Sequence, residues 1–530
     1  MITHQGPALD GTPGIGALTF GGFLDEVVAR FGANEALVLD DPLREGETVR
    51  WSYERLGREA RRIGRALVAE GVEPGEAVGI VMGNRPEAVA ALFAAAMTGA
   101  IAVPVSTFAP RPELAFMLRR ADVRVVLTQS RLLARRFGED LDALRPELPM
   151  LRTVAVLGEP TWDAFVRRGE ALADDALDRR AAAIDPDDPA LVIFSSGTTA
   201  EPKAILHGHR SPCLQFWLQA PIFGRHPETR MFSALPIFWT AGLNTAMGST
   251  LAAGGCWVMQ EAFEPGAALA LMARERVTEP YTLPHQTSEL AQHPDWAGTD
   301  LSSLRCVFGK SAYARHPSVH GDTGWIMPVG YGLSEMCAFV ASHRSDTPRE
   351  LAKVGAGHLL PGTQLRVLDD GELAVNGPTR MLRYLGKDPA ECFDADGFFA
   401  TGDVGHVDAD GIVHYAGRRT EMIKTGGANV SPAEIEIQLR ANPEVKQSRI
   451  IGVPDERLDQ IVVACVVPRE GADITATDVQ AFLRERVAPY KVPKHVLFFA
   501  DGEIPMTDSA TKVRDDDLLE LVRAKLNGDR

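Results

Sequence analysis

The sequence predicts an α/β protein with a large N-terminal domain of helix-covered, mostly parallel sheets, a small β-rich subdomain and a small α+β C-terminal domain. Three observations lead to this prediction. Strand-length apolar runs alternate with helical segments over the first half of the chain, and short strands with Asp-Gly turns follow between Gly362 and Val413. The 530 residues also exceed what one hydrophobic core usually serves, so more than one domain is expected.

The N-terminal half alternates helix and strand. Apolar residues recur at helical spacing in residues 23–31 and 56–67, and further helices are expected from Pro86 and near Glu113. Strand-length, largely apolar segments occupy residues 77–81, 101–105, 123–127 and 190–193. This alternation favours parallel strands connected by covering helices. The longest alanine-rich stretch, residues 88–103, is shorter than the roughly 20 residues that span a bilayer. We expect it to be a buried helix that runs into a strand.

The rest of the chain changes character twice. Residues 162–189 are charged and alanine-rich, so we expect surface helix and linker there. Beyond them, strands are predicted at residues 233–236, 255–259 and 281–283, with a helix at 267–276. Asp-Gly turns at residues 370–371, 396–397 and 410–411 indicate the β-rich subdomain. Near the C-terminus, helices at 434–439 and 479–487 and a β-branched strand at 461–467 give an α+β pattern.

The charge and the cysteine content limit the classes of function. A net charge of −16 with scattered lysines and arginines gives nucleic acid no general electrostatic attraction. The six cysteines are widely spaced and form no CxxC pair, which indicates a reduced, cytoplasmic protein without a cysteine metal site. The first thirty residues contain acidic side chains and no basic segment leading into an apolar core, so no signal peptide is predicted.

One polar loop directly follows a predicted buried strand. The stretch from Phe194 to Lys203 reads FSSGTTAEPK and places four hydroxyl side chains around Gly197 before a lysine. Ligands bind at such strand ends in α/β sheets, and an exposed backbone around glycine can form a nest for phosphate oxygens. A polar Ser/Thr loop that binds nothing is the alternative, and the Walker A pattern GxxxxGK(S/T) is absent.

The same stretch resembles the phosphate-loop signature (S/T)SGTTGxPKG of the adenylate-forming superfamily, which includes acyl-CoA synthetases, firefly luciferase and the adenylation domains of peptide synthetases. The resemblance covers the chain from about Trp51 to Asp517. Ala200 and Ala204 stand where the signature usually has glycine. The resemblance implies a phosphate loop made of Ser195, Ser196, Gly197, Thr198, Thr199 and Lys203.

Two further motifs resemble the nucleotide site of that superfamily. Tyr331-Gly332-Leu333-Ser334-Glu335 is similar to YGxTE. This implies that Tyr331 stacks on adenine, that Ser334 contacts the α-phosphate and that Glu335 coordinates Mg²⁺. Thr401-Gly402-Asp403 matches TGD, whose aspartate holds both ribose hydroxyls, because one carboxylate can accept from two donors. Without the resemblance, these two motifs are typical of an ordinary turn and an Asx turn.

The C-terminal part carries a signature of domain movement. GRRTEMIKTGG, which begins at Gly417, resembles the hinge signature GRxxDxIKxxG of the superfamily. It implies a hinge at Thr420 between an N-terminal AMP- and acyl-binding domain, residues 1–419, and a mobile C-terminal domain, residues 420–530. Arg418 would contact ribose or phosphate, whereas an isolated arginine is more often a solvated surface charge. The loop that enters the active site for thioester formation would contain Lys424, Gly426 and Gly427, with an ordinary glycine turn as the alternative.

The remaining site residues also rest on the resemblance. Residues 505–512 resemble PxTxxGK, whose lysine serves adenylation, so Lys512 would bridge the carboxylate and the α-phosphate. This lysine is one residue late and the glycine is missing. Residues 235–242 resemble a segment that often reads PLFHxxG and place Trp239 at the acyl channel, with core packing as the alternative. Gly309 belongs to a second acyl-pocket segment, in which Lys310 pairs with a substrate anion or reaches solvent.

Together the motifs imply an AMP-forming acyl-CoA ligase that converts a free carboxylic acid to its CoA thioester, with ATP, Mg²⁺ and CoA. The departures at Ala200, Ala204, Ser334 and Lys512 all concern adenylation. A second hypothesis is therefore an enzyme that only forms the thioester, from an acyl-adenylate supplied by a partner adenylating enzyme. Further alternatives are a non-catalytic nucleotide-binding protein, oxygenation of the luciferase kind, and acyl transfer to a carrier-protein pantetheine.

Overall fold

A computed structural model describes residues 2–173, 175–195, 202–309, 311–320, 324–419, 422–425, 428–455, 458–487, 491–506 and 513–528. The helices of this described part are, in chain order, α1 (Phe20–Phe31), α2 (Tyr53–Ala69), α3 (Pro86–Met97), α4 (Arg111–Arg120), α5 (Phe137–Leu144), α6 (Pro160–Glu170), α7 (Asp175–Ala182), α8 (Arg210–Phe223), α9 (Ser249–Ala252), α10 (Pro265–Arg274), α11 (Pro284–Gln292), α12 (Pro432–Arg440), α13 (Ala476–Arg484) and α14 (Asp515–Gly528).

The strands of the described ranges fall into five sheets. In chain order they are β1 (Thr3–Gln5), β2 (Glu35–Asp41), β3 (Glu47–Ser52), β4 (Ala77–Val81), β5 (Ile101–Pro104), β6 (Val123–Gln129), β7 (Thr153–Leu157), β8 (Pro189–Ser195), β9 (Lys203–Gly208), β10 (Arg230–Ser233), β11 (Cys256–Met259), β12 (Glu279–Pro280), β13 (Gly330–Leu333), β14 (Ala338–Ser342), β15 (His358–Leu359), β16 (Gln364–Val367), β17 (Glu372–Asn376), β18 (Arg383–Tyr384), β19 (Phe399–Val407), β20 (Val413–Arg418), β21 (Ile423–Thr425), β22 (Ala428–Val430), β23 (Val445–Asp455), β24 (Asp459–Pro468) and β25 (His495–Phe498).

The largest sheet has seven strands in the order β18-β9-β8-β5-β4-β6-β7. From β8 to β7 the neighbouring strands are parallel, whereas β8 and β9 form an antiparallel hairpin to which β18 adds an edge. Helix α3 is buried along its whole length and packs on β4 and β5. Because β8 runs parallel to β5, the end of the β8–β9 hairpin at Ser195 and Lys203 lies at the carboxyl edge of the parallel strands, where α/β sheets bind ligands.

A second sheet has the order β12-β10-β11-β2-β3 and is parallel except for the β2–β3 pair. The buried guanidinium of Arg85, next to the start of α3, joins the two sheets. It is 3.0 Å from Asp41 at the end of β2, 3.0 Å from Glu87 in α3 and 2.7 Å from Glu261 just beyond β11. Three acidic partners offset the cost of burying this cation, so the two sheets are held in a fixed relation.

The region between β13 and β20 is antiparallel. It contains a three-stranded sheet, β13-β14-β15, and a five-stranded sheet, β1-β16-β17-β19-β20. Gly371, Gly397 and Gly411 of the three predicted Asp-Gly turns have φ angles of 81°, 84° and 80°. Glycine tolerates this left-handed conformation, so the turn prediction for the β-rich region is confirmed.

The last sheet lies in the C-terminal part and has the order β22-β21-β24-β23, with β25 parallel to β24. Helices α12 and α13 contribute to one hydrophobic cluster with the sheet, and α14 contributes to another. Ser431 caps α12 by accepting a hydrogen bond from the Glu434 N–H, and its own hydroxyl donates to the Ala416 carbonyl in β20. This residue therefore connects the C-terminal sheet to the five-stranded sheet of the β-rich region.

The predicted α/β class and the helix-strand alternation are confirmed, and two strand predictions need correction. The strand predicted at residues 233–236 ends at Ser233, because the Ser233 hydroxyl accepts from the Leu235 N–H and turns the chain. The strand predicted at residues 281–283 lies at Glu279–Pro280 instead. Leu283 is extended immediately before Pro284, which begins α11. Within the described ranges, none of the helices combines the length and the apolar character needed to cross a membrane.

Candidate active site

The connected end of the β8–β9 hairpin carries Ser195 and Lys203, the two described residues of the predicted phosphate loop. Ser195 ends β8 and lies opposite Lys203, which begins β9. Lys203 is exposed, and its ammonium nitrogen lies 5.6 Å from the centre of the Tyr384 ring, within range of a cation–π contact. The hairpin therefore presents a hydroxyl and a cation at the carboxyl edge of the sheet. The other predicted loop residues lie outside the described residues: Ser196, Gly197, Thr198 and Thr199.

Three predicted nucleotide residues, Tyr331, Asp403 and Arg418, form a cluster. The Tyr331 hydroxyl donates to Asp403 Oδ2 at 2.8 Å, and Arg418 Nε lies 2.7 Å from Asp403 Oδ1. Asp403 and Arg418 face each other in the β19–β20 ladder, which sets their side chains next to one another. Asp403 is 3% exposed, whereas 43% of the Arg418 side chain is exposed. The cluster therefore reaches from the protein interior to the surface.

The Asp403 carboxylate retains capacity to accept a ligand hydroxyl. Its Oδ1 is buried and makes only the ion pair with Arg418, without a hydrogen bond of proper geometry from any described residue. Burial raises the pKa of Asp403, while the Arg418 guanidinium and the Tyr331 hydroxyl lower it. Burial also raises the pKa of Tyr331, so its hydroxyl remains a donor. An anionic acceptor with unused lone pairs suits a pair of adjacent hydroxyl groups.

The rings beside this cluster offer an aromatic surface. Tyr331 stacks on Tyr415 with their ring centres 5.8 Å apart and their planes at 21°. Tyr331 is buried, whereas Tyr415 is 43% exposed. Sequence reasoning predicted Tyr331 as the stacking residue and missed Tyr415, whose position in strand β20 carries no motif.

Two glycines of the predicted motifs occupy positions where the backbone leaves no room for a side chain or has a positive φ angle. A Cβ atom at Gly332 would lie 2.1 Å from the Ala338 carbonyl oxygen of the neighbouring strand β14. Gly402 has a φ of 73°, and its N–H donates to the Glu372 carboxylate at 2.8 Å. Any larger residue would displace the neighbouring strand at the first position and strain the backbone of β19 at the second.

A short 3₁₀ turn, Ser334–Met336, presents Glu335 beside the phosphate hairpin. Glu335 Oε1 accepts a 2.6 Å hydrogen bond from the Tyr384 hydroxyl, and the Glu335 carbonyl accepts from the Met381 N–H at 2.7 Å. His207, in strand β9 of the hairpin, lies with Nε2 at 2.9 Å from the Ser334 carbonyl oxygen. The turn is therefore fixed from both sides by strands of the largest sheet.

Two histidines, His207 in strand β9 and His209 just beyond its end, make hydrogen bonds that hold the hairpin in place. Burial lowers the pKa of both His207 and His209 to about 4. Neutral His207 therefore donates its Nε2–H to Ser334, whereas His209 Nδ1 accepts from the Phe20 N–H at 3.2 Å. These contacts tie the hairpin to the turn before Glu335 and to helix α1.

The predicted acyl-pocket residues lie at two separate segments. Trp239 is half-buried and packs edge-to-face against Phe238 and Phe108, with ring centres 5.9 Å and 6.0 Å away. Phe108 is 60% exposed, so this aromatic cluster continues to the surface. Gly309 is exposed, and a Cβ atom there would lie 3.8 Å from an Arg349 guanidinium nitrogen. Lys310 lies outside the described residues.

A π-helical segment, Ala241–Gly248, follows Trp239 and contacts the residue just after the turn that carries Glu335. The Asn244 side-chain amide donates to the Cys337 carbonyl at 2.6 Å and to the Thr240 carbonyl at 3.1 Å. π-Helical turns are rare and frequently mark functional sites. Sequence reasoning missed Asn244, although an amide within an otherwise apolar segment indicates a buried hydrogen-bonding need.

The predicted thioesterification lysine lies on the C-terminal sheet. Lys424 is in β21, where its side chain is exposed and its N–H donates to the Gln460 side chain at 2.8 Å. None of the hydrogen bonds or ion pairs between described residues joins this side chain to the cluster around Asp403. The hinge residue Thr420, the loop residues Gly426 and Gly427, and the adenylation lysine Lys512 lie outside the described residues.

The described residues suit a nucleotide with a metal ion on its phosphates. Glu335 offers a carboxylate oxygen beyond the one that Tyr384 occupies, and Mg²⁺ prefers oxygen ligands. The described ranges contain no cluster of three or more His, Cys, Asp or Glu side chains able to hold a metal ion.

Comparisons with known proteins show which family the sequence matches. The model of the family "AMP-binding enzyme" matches residues 24–385, and that of the "AMP-binding enzyme C-terminal domain" matches residues 434–511. The chain is 32% identical to indoleacetate–CoA ligase of Aromatoleum aromaticum over 494 residues, which are 89% of this chain and 94% of that protein. It is also 32% identical to feruloyl-CoA synthase of an Amycolatopsis species, with coverage of 88% and 93%.

A solved structure extends the comparison to the fold. The chain is similar to ATP-bound MatB from Rhodopseudomonas palustris, with a TM-score of 0.74 and 25% sequence identity. The similarity covers 94% of this chain and 98% of that one.

Proposed function

Because the chain belongs to the family of AMP-binding enzymes, we propose that it is an AMP-forming acyl-CoA ligase that activates a ring-bearing carboxylic acid. The observation that carries the proposal is the meeting of the Tyr331–Asp403–Arg418 cluster, the Glu335 turn and Lys203 around the carboxyl edge of one sheet. The CoA-ligase activities named for the two relatives at 32% identity support the same reaction class.

In the first half-reaction, a carboxylate oxygen attacks the α-phosphorus of ATP, pyrophosphate leaves, and an acyl-adenylate forms. Asp403 would accept hydrogen bonds from the ribose hydroxyls through the oxygen that has only the Arg418 ion pair. Tyr331 and the exposed Tyr415 would bound the adenine, and Ser334 would contact the α-phosphate. Glu335 would hold Mg²⁺, which when bound neutralises negative charge on the phosphates. Lys203 would hold the phosphates, and Lys512 would bridge the acid and the α-phosphate.

In the second half-reaction, the CoA thiol attacks the acyl carbonyl carbon, and AMP leaves. Lys424 lies in β21, and on the strength of the hinge signature we assign Lys424, Gly426 and Gly427 to pantetheine binding. That assignment requires the unit of residues 420–530 to rotate about Thr420 against residues 1–419. The exposed position of Lys424, on a sheet distinct from those of the nucleotide site, supports such a separation of roles.

The aromatic cluster supports a planar, ring-bearing acid as substrate. Trp239, Phe238 and Phe108 present ring edges and faces, and aromatic pairs of this geometry contribute about 0.5–1.5 kcal/mol beyond area burial. A ring of the substrate could extend the same edge-to-face packing. The names of both relatives, which act on indoleacetate and ferulate, support this class of acid.

The thioesterification-only alternative rests on four departures from the family motifs. Ala200 and Lys512 lie outside the described residues, whereas Ala204 lies in strand β9 and Ser334 begins the turn that carries Glu335. Among described residues, Glu335, Asp403 and Arg418 retain the contacts expected of a nucleotide site, and we therefore propose that the enzyme forms its own adenylate. This is also the ground for preferring a catalyst to a non-catalytic nucleotide-binding protein.

Pyrophosphate exchange into ATP tests the proposal across a panel of acids. The panel contains aromatic acids, an alicyclic acid and a linear fatty acid, each with Mg²⁺ and without CoA. We expect exchange with aromatic acids and weaker exchange with the linear acid. Absence of exchange with every acid, together with thioester formation from a synthetic acyl-adenylate and CoA, would favour the partner-dependent alternative. Replacing CoA by pantetheine-loaded carrier protein in the thioester assay tests the remaining acceptor alternative.

A further inference from the structure

Tyr384 lies where three parts of the proposed active site meet. It is in β18, the edge strand that pairs with β9 of the phosphate hairpin, directly opposite Ile205. The backbone around it is anchored on both sides, because the Leu382 N–H donates to the Leu206 carbonyl and the Leu385 N–H donates to the Ala204 carbonyl at 2.9 Å. The position of Tyr384 is therefore set by the sheet rather than by a loop.

The hydroxyl of Tyr384 is directed at the proposed metal ligand. It donates to Glu335 Oε1 at 2.6 Å, a short distance typical of a hydrogen bond to an ionised carboxylate. Within the described ranges, the Glu335 side chain makes no other hydrogen bond. One carboxylate oxygen is thus occupied, which fixes the plane of the group and leaves the second oxygen for another ligand. Ligating carboxylates in metal sites are commonly oriented by such outer hydrogen bonds.

The ring of Tyr384 serves a second set of contacts. The ammonium nitrogens of Lys203 and Lys387 lie 5.6 Å and 5.7 Å from its centre, within cation–π range. The ring also packs edge-to-face against Phe399 in β19 at 6.3 Å. Replacing the tyrosine by phenylalanine would keep these ring contacts and remove only the hydrogen bond to Glu335, which makes the hydroxyl testable by itself.

We infer that Tyr384 is a positioning residue that holds the Glu335 carboxylate in the orientation needed to bind Mg²⁺ with the phosphates of ATP. The inference rests on the proposed function, and it assigns to the hydroxyl a role in metal affinity rather than in acid or CoA binding. Loss of an outer hydrogen bond of this kind typically weakens metal binding by about 10–100-fold.

The test compares Tyr384→Phe with Tyr53→Phe. Tyr53 is a matched control, since its buried hydroxyl also donates at 2.6 Å, but to the carbonyl of Gly255, just before strand β11 of the second sheet. The first readout is Mn²⁺ binding, followed by electron paramagnetic resonance in the presence of a non-hydrolysable ATP analogue. The second is the Mg²⁺ concentration that half-saturates pyrophosphate exchange. Tyr384→Phe is expected to lower the Mn²⁺ affinity and to raise the half-saturating Mg²⁺ concentration, each by at least tenfold. Tyr53→Phe is expected to lower the melting temperature and to leave both metal readouts unchanged.

Coupling to Glu335 separates positioning from a general structural effect. In a Glu335→Gln background, Tyr384→Phe is expected to cause no further loss of Mn²⁺ affinity, because the two residues act as one unit. Tyr384→His, which retains a ring donor, is the second variant should Tyr384→Phe fail to fold, and it is expected to bind Mn²⁺ better than Tyr384→Leu. Equal Mn²⁺ affinity in wild type and Tyr384→Phe, or equal affinity in the histidine and leucine variants, overturns the inference. Lack of exchange in the wild type refutes the proposed function instead, and leaves the Mn²⁺ measurement to decide the role of Tyr384.

Discussion

Acidification is expected to destabilise the N-terminal part of the protein through His207. Burial lowers the pKa of this imidazole from 6.5 to about 4, although the hydrogen bond to the Ser334 carbonyl partly opposes the effect. The other ring nitrogen, Nδ1, is buried without a partner among described residues, so a proton added there would be a buried and unpaired charge.

The sign and the magnitude follow from the two pKa values of His207. A folded-state pKa below the unfolded value means that the unfolded state binds more protons between these values, so stability rises with pH in that window. The contribution is fully present above 6.5 and is lost as the pH falls toward about 4. One pKa unit is worth about 1.4 kcal/mol, so the full shift corresponds to about 3 kcal/mol. Between about pH 8 and about pH 5 the expected loss is about 2 kcal/mol.

Urea unfolding at these two pH values measures the effect, with His207→Gln as the variant. Glutamine retains an N–H donor for Ser334 and cannot titrate. All seven tryptophans precede residue 326, so intrinsic fluorescence reports on the N-terminal part: Trp51, Trp162, Trp217, Trp239, Trp257, Trp296 and Trp325. On acidification, the free energy of unfolding of the wild type is expected to fall by about 2 kcal/mol more than that of the variant. The exposed His285, changed to Gln, is the control and should behave as wild type. Equal pH dependence in wild type and His207→Gln refutes the reasoning.

Three further predictions concern the nucleotide site, the proposed CoA loop and the connection between the two parts of the chain. Asp403→Asn is expected to raise the KM for ATP and the KM for a synthetic acyl-adenylate by a similar factor, roughly 10–100-fold, because both molecules carry the ribose. A rise in only one of the two KM values contradicts the assignment of Asp403 to the ribose. Lys424→Ala is expected to slow thioester formation from the synthetic adenylate by roughly tenfold or more, while pyrophosphate exchange stays nearly unchanged. Slower pyrophosphate exchange in this variant would count against a role confined to the second half-reaction. Ser431→Ala, which removes the α12 cap and the bond to Ala416, is expected to cost about 1 kcal/mol in thermal unfolding. Ser431→Ala should also increase proteolytic cleavage near residue 420. The control Thr475→Ala, which removes only the α13 cap, should not increase it. Equal cleavage of the two variants argues against the role of Ser431 in connecting the two parts of the chain.

Much of the architecture could be predicted because periodicity and turn chemistry act locally. The apolar run before Ser195 indicated a buried strand, and the Asp-Gly pairs marked the turns at Gly371, Gly397 and Gly411. The misplaced strand at residues 281–283 shows the limit: the Tyr281 N–H still donates to the Phe232 carbonyl of β10, but the strand itself ends at Pro280 and helix α11 begins at Pro284. Which strands pair, and therefore which loops meet, depends on contacts distant in sequence.

Site residues could be predicted where a sequence motif specifies the shape of the backbone. They could not be predicted where a single side chain outside any motif makes the contact. Gly332 and Gly402 belong to motifs, and the structure shows why neither tolerates a larger residue. Tyr384, Tyr415 and Asn244 were missed since each is a single residue whose partners come from another sheet or helix. Their roles become visible only when the hydroxyl, ring or amide is placed beside its partner.

Product stoichiometry tests the central claim most directly. The purified enzyme is incubated with an aromatic acid, ATP, Mg²⁺ and CoA, and thioester, AMP and pyrophosphate are quantified by mass spectrometry and an enzymatic pyrophosphate assay. A self-sufficient AMP-forming ligase yields the three products in equal amounts. Thioester that forms only when a synthetic acyl-adenylate replaces the acid and ATP, or no thioester under either condition, would contradict the account.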